Sequence, residues 1–353
     1  MSHSTSVSMT GVAQSAHVAR LLNEMCEHFI EHAEVRRIGD EAIMTSKLGV
    51  ATFRLQGEKL SIALNGPSEA ALQMARTSIA EHMFYFAGSD PLEISWADTD
   101  AAAPSRMPNL HEVTVLGAED VTPLMRRVKF SCADVTPFIG GDMHVRLLIP
   151  PKGRKPVWPG YRADGRVAWP RGEDELAVRA YTIRAVDAER GELWIDFLQH
   201  FVPGTRTPGA EFAQDARPGD LVGLMGPGSG ALPVASSILM IGDETALPAI
   251  ARIAAEVSAD TEITAIIEVA DAAEEQMLHS AGRLNVRWLH RGNDAEKAKG
   301  VLLRAGKDAI EAVSADTFVW AACEKEDIRA MRTLLNRRKH DRSLKYVAWY
   351  WER

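Results

Sequence analysis

The feature that most restricts the fold is a change of rhythm near residue 234. Before it lie six short β-prone runs, His111–Leu116, Leu124–Phe130, Met143–Ile149, Ala177–Ile183, Leu193–Phe197 and Leu221–Met225, separated by turn residues. Short strands at this spacing, with few helices among them, suit a small antiparallel barrel. After it, Ile238–Ile241 reads as a buried strand, Gly242-Asp243-Glu244-Thr245 as a turn, and a helix starts near Ala246. Ile263–Val269, Val286–Leu289 and Thr317–Ala321 repeat the pattern with helical stretches between and after them. Strands alternating with helices imply a parallel sheet covered on both faces.

The chain has 353 residues, more than one ordinary core accommodates. The expected organisation is multidomain: a small N-terminal α+β domain over 10–97, a linker over 98–109, a β-barrel over 110–233 and an α/β domain over 234–353. In the first segment Val18, Leu21, Leu22, Met25 and Phe29 recur at helical spacing. Gly49–Leu55 and Leu60–Leu64 are strand-like, Ser68 is an N-cap for a helix to about Phe86, and Leu92–Trp96 alternates like an edge strand. His28 and His32, spaced i,i+4, read as helix-face histidines or as two ligands of a metal site. Pro150–Glu175, rich in Pro, Gly and Trp, reads as a long surface loop.

Several classes are disfavoured. A net charge of −8 argues against a broad nucleic-acid or anionic-membrane surface. No apolar run reaches the ~20 residues that span a bilayer, and the N-terminus lacks a secretory pattern. Cys26, Cys132 and Cys323 form no disulfide framework and no iron–sulfur spacing. The expected location is therefore cytoplasmic, and any redox cofactor is organic.

Arg179-Ala180-Tyr181-Thr182 is the chemistry-bearing stretch of the barrel. On a strand, Arg179 and Tyr181 face one way and Thr182 the other. A guanidinium beside an aromatic ring suits a dinucleotide flavin, gripping pyrophosphate while the ring packs on isoalloxazine. The same four residues are equally an ordinary strand with solvated arginines. Gly242-Asp243-Glu244-Thr245 has one glycine and is not the dinucleotide fingerprint, although a helix start there can face a phosphate. Arg291 is a 2′-phosphate contact or a solvated loop residue. The run Arg337-Arg338-Lys339-His340 is a solvated helix end or an anion-attracting patch. Cys323 lacks a neighbouring His–acid pair and reads as structural.

Taken in order, Thr122–Val128, Asp142–Pro150, Arg179–Arg184, Leu193–His200, Arg217–Asp220, Gly226-Pro227-Gly228, Gly242–Ala249 and Trp349-Tyr350-Trp351 resemble the siderophore-interacting protein family. These are FAD-dependent ferric-siderophore reductases related to ferredoxin reductases. The resemblance covers roughly 110–353; residues 10–96 look like a small uncharacterised domain sometimes joined to them. It implies a barrel that holds FAD and an α/β domain that takes NADPH or NADH. It further implies FAD contacts at Arg179, Ala180, Tyr181, Thr182, Asp196, Leu198 and His200, and backbone amides of Thr207, Gly209 and Ala210 around the pyrophosphate. Gly242, Asp243, Glu244 and Thr245 match the nicotinamide-side turn, and Glu324 and Trp351 the late cofactor contacts. Arg146, Lys345 and Arg353 match basic positions at the cleft mouth. The chain departs from the family's short His-Gly segment after His200, has Ala322-Cys323-Glu324 for its Ala-Gly-Glu, and has Trp349 for a glycine.

The implied activity needs no side-chain acid–base pair, because the flavin carries the chemistry. Electrons pass from NAD(P)H, or from a reduced ferredoxin, to Fe(III) in an anionic siderophore, and Fe(II) is released. Two rivals remain at this level. One is another barrel-type flavin reductase with a protein or free-flavin acceptor; the other is a siderophore-binding protein without catalysis.

Overall fold

The computed structural model describes residues 6–30, 33–97, 107–200, 204–292 and 300–352. Arg353, His32 and most of the expected linker lie outside them. The chain divides into two compact units, Met1–Leu110 with Gly153–Glu175, and His111–Lys152 with Leu176–Arg353.

In the first unit, strand β1 (Val7–Gln14) precedes helix α1 (Val18–Phe29), then β2 (Glu34–Ile38), β3 (Glu41–Ser46), β4 (Gly49–Gln56), β5 (Lys59–Gly66), α2 (Glu69–Ala87) and β6 (Glu93–Trp96). They form an antiparallel sheet ordered β2-β3-β4-β5-β1-β6. Phe53, Leu60, Ile62 and Leu64 alternate onto one face and meet Val18, Leu22 and Met25 of α1 and Leu72, Ile79 and Met83 of α2. The Ser68 hydroxyl accepts from the Ala71 amide at 3.2 Å, which starts α2 where expected. Gly49 has φ +120°, and a Cβ there would lie 2.1 Å from the Asn65 carbonyl oxygen, so the β4 start admits only glycine. The structure adds three strands, β1, β2 and β3, to the sequence-based order. His28 packs against His82, with ring centroids 4.7 Å apart. No cluster of three or more metal-ligating side chains occurs among the described residues.

The second unit begins with β7 (Leu110–Thr122), β8 (Met125–Cys132) and β9 (His144–Ile149). The stretch expected to be a surface loop then joins the first unit. There β10 (Gly160–Tyr161) pairs with β11 (Val167–Ala168), and the hairpin is held by backbone contacts to α2 and β6. Arg76 donates to the Ala163 carbonyl at 2.8 Å, Trp96 Nε1 to the Asp164 carbonyl at 2.9 Å, and the Val167 amide to Glu81 at 2.8 Å. The chain returns through β12 (Ala177–Asp187), β13 (Glu192–Leu198), helix α3 (Pro208–Asp215) and β14 (Leu221–Ser229). These strands close a barrel ordered β12-β13-β8-β7-β14-β9, made of the six runs expected. Val113, Val128, Phe130, Leu147, Ile183, Ile195 and Phe197 fill it.

The α/β part runs β15 (Ser237–Asp243), α4 (Leu247–Glu256), β16 (Glu262–Val269), β17 (Arg283–His290), α5 (Val301–Ala312), β18 (Phe318–Glu324), α6 (Lys325–Arg337) and β19 (Lys345–Trp351). The sheet is parallel, ordered β17-β16-β15-β18-β19, with apolar clusters on both faces. The closing aromatic motif is thus an edge strand beside β18. Within this unit, buried polar contacts tie barrel to sheet. Arg252 of α4, 1 % exposed, donates to the carbonyls of Ile183 at 2.9 Å and Phe138 at 2.6 Å. Glu274 accepts from Thr122 at 2.5 Å and from the Leu124 amide at 2.9 Å. No helix among the described residues is long and apolar enough to cross a membrane.

Candidate functional site

A cleft of about 1050 Å³ opens between the barrel and the carboxyl ends of β15, β16 and β18. That is the upper end of the range for small-molecule sites, and the carboxyl edge of a parallel sheet is where such folds bind ligands. Strand β12 contributes Arg179, Ala180, Tyr181 and Thr182 to its wall. Arg179 and Ala180 are exposed, and Thr182 is 6 % exposed. The Tyr181 ring lies 4.4 Å from the Phe197 ring, and burial pushes its phenol up. The start of α3 stands beside it. A Cβ on Gly209 would sit 1.8 Å from the Tyr181 hydroxyl oxygen, so glycine lets helix and ring meet. Thr207, Gly209 and Ala210 line the cleft, with Arg206 next to them, so α3 opens towards it. The Thr207 amide already donates to Glu211 at 2.8 Å. Leu198 and His200, at the end of β13, complete this wall.

Carboxylates that line the cleft are largely engaged with protein groups. Asp196 makes a two-pronged pair with Arg127 at 2.7 and 2.8 Å. Asp243 is raised by burial, against donors Thr245 and Trp351; the Thr245 amide is at 2.9 Å and the Trp351 indole at 2.7 Å. Glu244 pairs with Arg291, whose Nη1 also reaches Glu268 at 3.2 Å. Glu268, raised by burial, accepts from the Leu302 amide at 3.1 Å at the start of α5. Glu324 caps α6, accepting from Glu326 and Asp327 amides at 2.8 and 3.3 Å. The acidic turn therefore presents no pair of free negative charges to an anionic ligand, and Arg291 is a bridge between two carboxylates rather than a solvated loop residue.

Other expected residues fall away from the lining. At Gly242 a Cβ would lie 2.5 Å from Ala246 Cβ and 3.0 Å from the Ala322 carbonyl oxygen; it serves the packing of α4 on the sheet. Arg146 is exposed on β9, paired in register with Ala180. Lys345 donates to Asn336 at 3.0 Å. In the basic run, Arg338 caps α5 through the carbonyls of Glu311 at 2.5 Å and Val313 at 2.9 Å. Cys323 lines the cleft floor at 1 % exposure, and burial pushes its thiol well up, as expected of a structural cysteine.

His144 is the residue that sequence reasoning passed over. Its Nδ1 lies 3.2 Å from Thr182 Oγ1, and its Nε2 lies 2.9 Å from the Tyr350 hydroxyl and 3.3 Å from that of Tyr346. Burial pushes its imidazole down to about 4. Its position at the start of β9, on the same side as Arg146, was legible from strand alternation, but its tyrosine partners lie some 200 residues on. Trp349 and Trp351 are exposed at the lip, with Lys325 Nζ 5.3 Å from the Trp349 ring centre.

Comparison with known proteins gives three domain matches. Residues 114–231 match the siderophore-interacting FAD-binding domain, 235–353 the siderophore-interacting protein domain, and 10–97 an uncharacterised protein conserved in bacteria (DUF2218). The ferric vibriobactin reductase ViuB of Vibrio cholerae is 31% identical over 215 residues, spanning 60% of this chain and 76% of that protein. The NADPH-dependent ferric-chelate reductase of Escherichia coli is 27% identical, spanning 70% of this chain and 96% of that one. A siderophore utilization protein from T. fusca superposes with a TM-score of 0.58 at 34% identity, covering 69% of this chain and 93% of the other.

Proposed function

Because the chain belongs to the siderophore-interacting protein family, we propose that it is an FAD-dependent ferric-chelate reductase of the cytoplasm, fed by NADPH, NADH or a reduced ferredoxin. FAD held here would supply the redox chemistry that couples a reduced donor to one-electron reduction of Fe(III). The observation that carries this reading is convergence: the Arg179–Thr182 strand, the open start of α3 and the C-terminal aromatic strand line one cleft.

The residues suit a dinucleotide flavin. Arg179 and Arg206 supply guanidinium donors, and the α3 start supplies amides and a positive dipole end, the donor set that a pyrophosphate needs. Tyr181 offers an apolar ring held by Phe197. Asp196 acts at one remove, holding Arg127. Asp243 fastens Trp351 over the sheet edge. The turn Gly242–Thr245 and Glu324 shape the donor side rather than contact a phosphate. Arg146, beside Ala180, supplies positive charge that attracts an anionic ferric siderophore without ligating its iron, and Lys345 and Arg353 are assigned the same role. Fe(II), with one charge fewer, binds hard oxygen ligands more weakly and leaves the chelator.

Purified protein incubated with NADPH, NADH or reduced ferredoxin and a catecholate or hydroxamate ferric chelate tests this, with Fe(II) trapped by a coloured chelator. The expected result is donor oxidation that requires the ferric chelate and matches trapped Fe(II). No chelate-dependent rate with any donor refutes it.

A further inference from the structure

Building on the FAD reading above, we propose that His144 is a positioning residue that holds its proton on Nδ1 and so presents the Thr182 hydroxyl as a donor to the cleft. The imidazole bridges two parts of the chain. On one side is Thr182 of the flavin strand, at 3.2 Å; on the other are Tyr350 and Tyr346 of β19, at 2.9 and 3.3 Å from Nε2. Room for the ring is built in. Gly230 has φ +78°, and a Cβ there would lie 2.4 Å from His144 Cδ2 and Nε2.

The tautomer decides which hydrogen faces the cleft. With the proton on Nδ1, that N–H donates to Thr182 Oγ1, Tyr350 donates to Nε2, and the Tyr346 hydroxyl stays within the same cluster. The hydrogen of Thr182, which lines the cleft, is then left to face it. With the proton on Nε2, Thr182 spends its hydrogen on Nδ1 and offers the cleft only an acceptor. The ring stays neutral because burial, together with the charge of Arg252, outweighs Asp142, which favours protonation. Both phenols stay protonated, raised by burial. An oxidised isoalloxazine presents ring nitrogens and carbonyls that accept hydrogen bonds, so a donor at Thr182 is the complementary partner.

Two measurements test this. The first is the ¹⁵N spectrum of histidine-labelled protein, with and without FAD; the His144 signals are assigned by their loss in His144→Gln or their shift in Thr182→Val. A pyrrole-type Nδ1 and a pyridine-type Nε2, unchanged from pH 8 to pH 5.5, support the assignment. A proton on Nε2, or titration within that range, overturns it. Because this holds without cofactor, a protein that takes up no FAD would sink the flavin reading and leave the tautomer result standing. The second is the reduction potential of bound FAD in Thr182→Val, His144→Phe and the double variant. If His144 acts through Thr182, both singles shift the potential in the same direction and the double shifts no further than Thr182→Val. Additive shifts, the signature of a merely structural histidine, overturn the proposal.

Discussion

Arg252→Met isolates the contact that joins α4 to β12. Arg252 is 1 % exposed and donates to two buried carbonyls, of Ile183 and Phe138. Methionine keeps most of the stem's packing, so little cavity forms. It leaves both carbonyls without their donor, at about 1–3 kcal/mol each. The lost pair with Glu256, whose side chain is 31% exposed, adds at most about 1 kcal/mol. A total near 4 kcal/mol lowers the melting temperature of a unit of this size by roughly 8–16 °C. Differential scanning calorimetry is the assay, with one transition expected for each unit. Ile183 directly follows Thr182, so FAD affinity should fall along with stability. Glu256→Gln is the control and should move the transition little. A second-unit transition for Arg252→Met within about 2 °C of the parent would show that α4 does not brace β12.

Gly209→Ala puts a methyl 1.8 Å from the Tyr181 hydroxyl oxygen, so the ring must move. FAD affinity measured by titration should fall at least about tenfold, in line with misplacement of a binding group, with a smaller loss in melting temperature. His144 makes stability depend on pH in a known direction. Its folded-state value of about 4 lies below the ordinary 6.5, so its contribution is full above pH 6.5 and is lost as pH falls towards 4. Over that window the parent should lose roughly 3 kcal/mol that His144→Gln does not, read as the difference between their denaturant unfolding curves. Gly165 has φ +97°, and a Cβ there would lie 3.0 Å from Trp96 Nε1 and 3.2 Å from Ala80. Gly165→Ala should destabilise the first unit by about 1–3 kcal/mol, seen as a lower first calorimetric transition, with the second unmoved.

The second unit was legible because its strands carry apolar residues in simple patterns. Val113, Val128, Phe130, Leu147, Ile195 and Phe197 mark the barrel, and Ile238–Ile241 and Ile263–Val269 the sheet. The strands missed in the first unit show weaker signals. β1 mixes Ser8, Thr10 and Gly11 with its apolar residues, and β2 is an edge strand with Arg36 and Arg37 at its centre. The hairpin around Gly165 is fastened chiefly through its main-chain carbonyls and amides, which leave no trace in side-chain pattern. At the cleft, residue type placed Asp196, Asp243 and Glu324 in the neighbourhood but not their partners. Asp196 and Asp243 are engaged by Arg127 and Trp351, 69 and 108 positions away, whereas Glu324 turns to the helix start that follows it directly. His144 is the sharpest case, since its role depends on β19 folding back beside β18.

The proposed activity is the reduction of chelated Fe(III) by protein-bound FAD. Its most direct test is a single turnover under anaerobic conditions. Protein loaded with FAD is reduced with dithionite, freed of excess reductant and mixed with a ferric siderophore in the presence of an Fe(II) trap. The expected result is return of the oxidised flavin absorbance in step with two trapped Fe(II) ions per FAD, as its two electrons require. Flavin that stays reduced in the presence of the chelate, or a protein that retains no FAD, would contradict it.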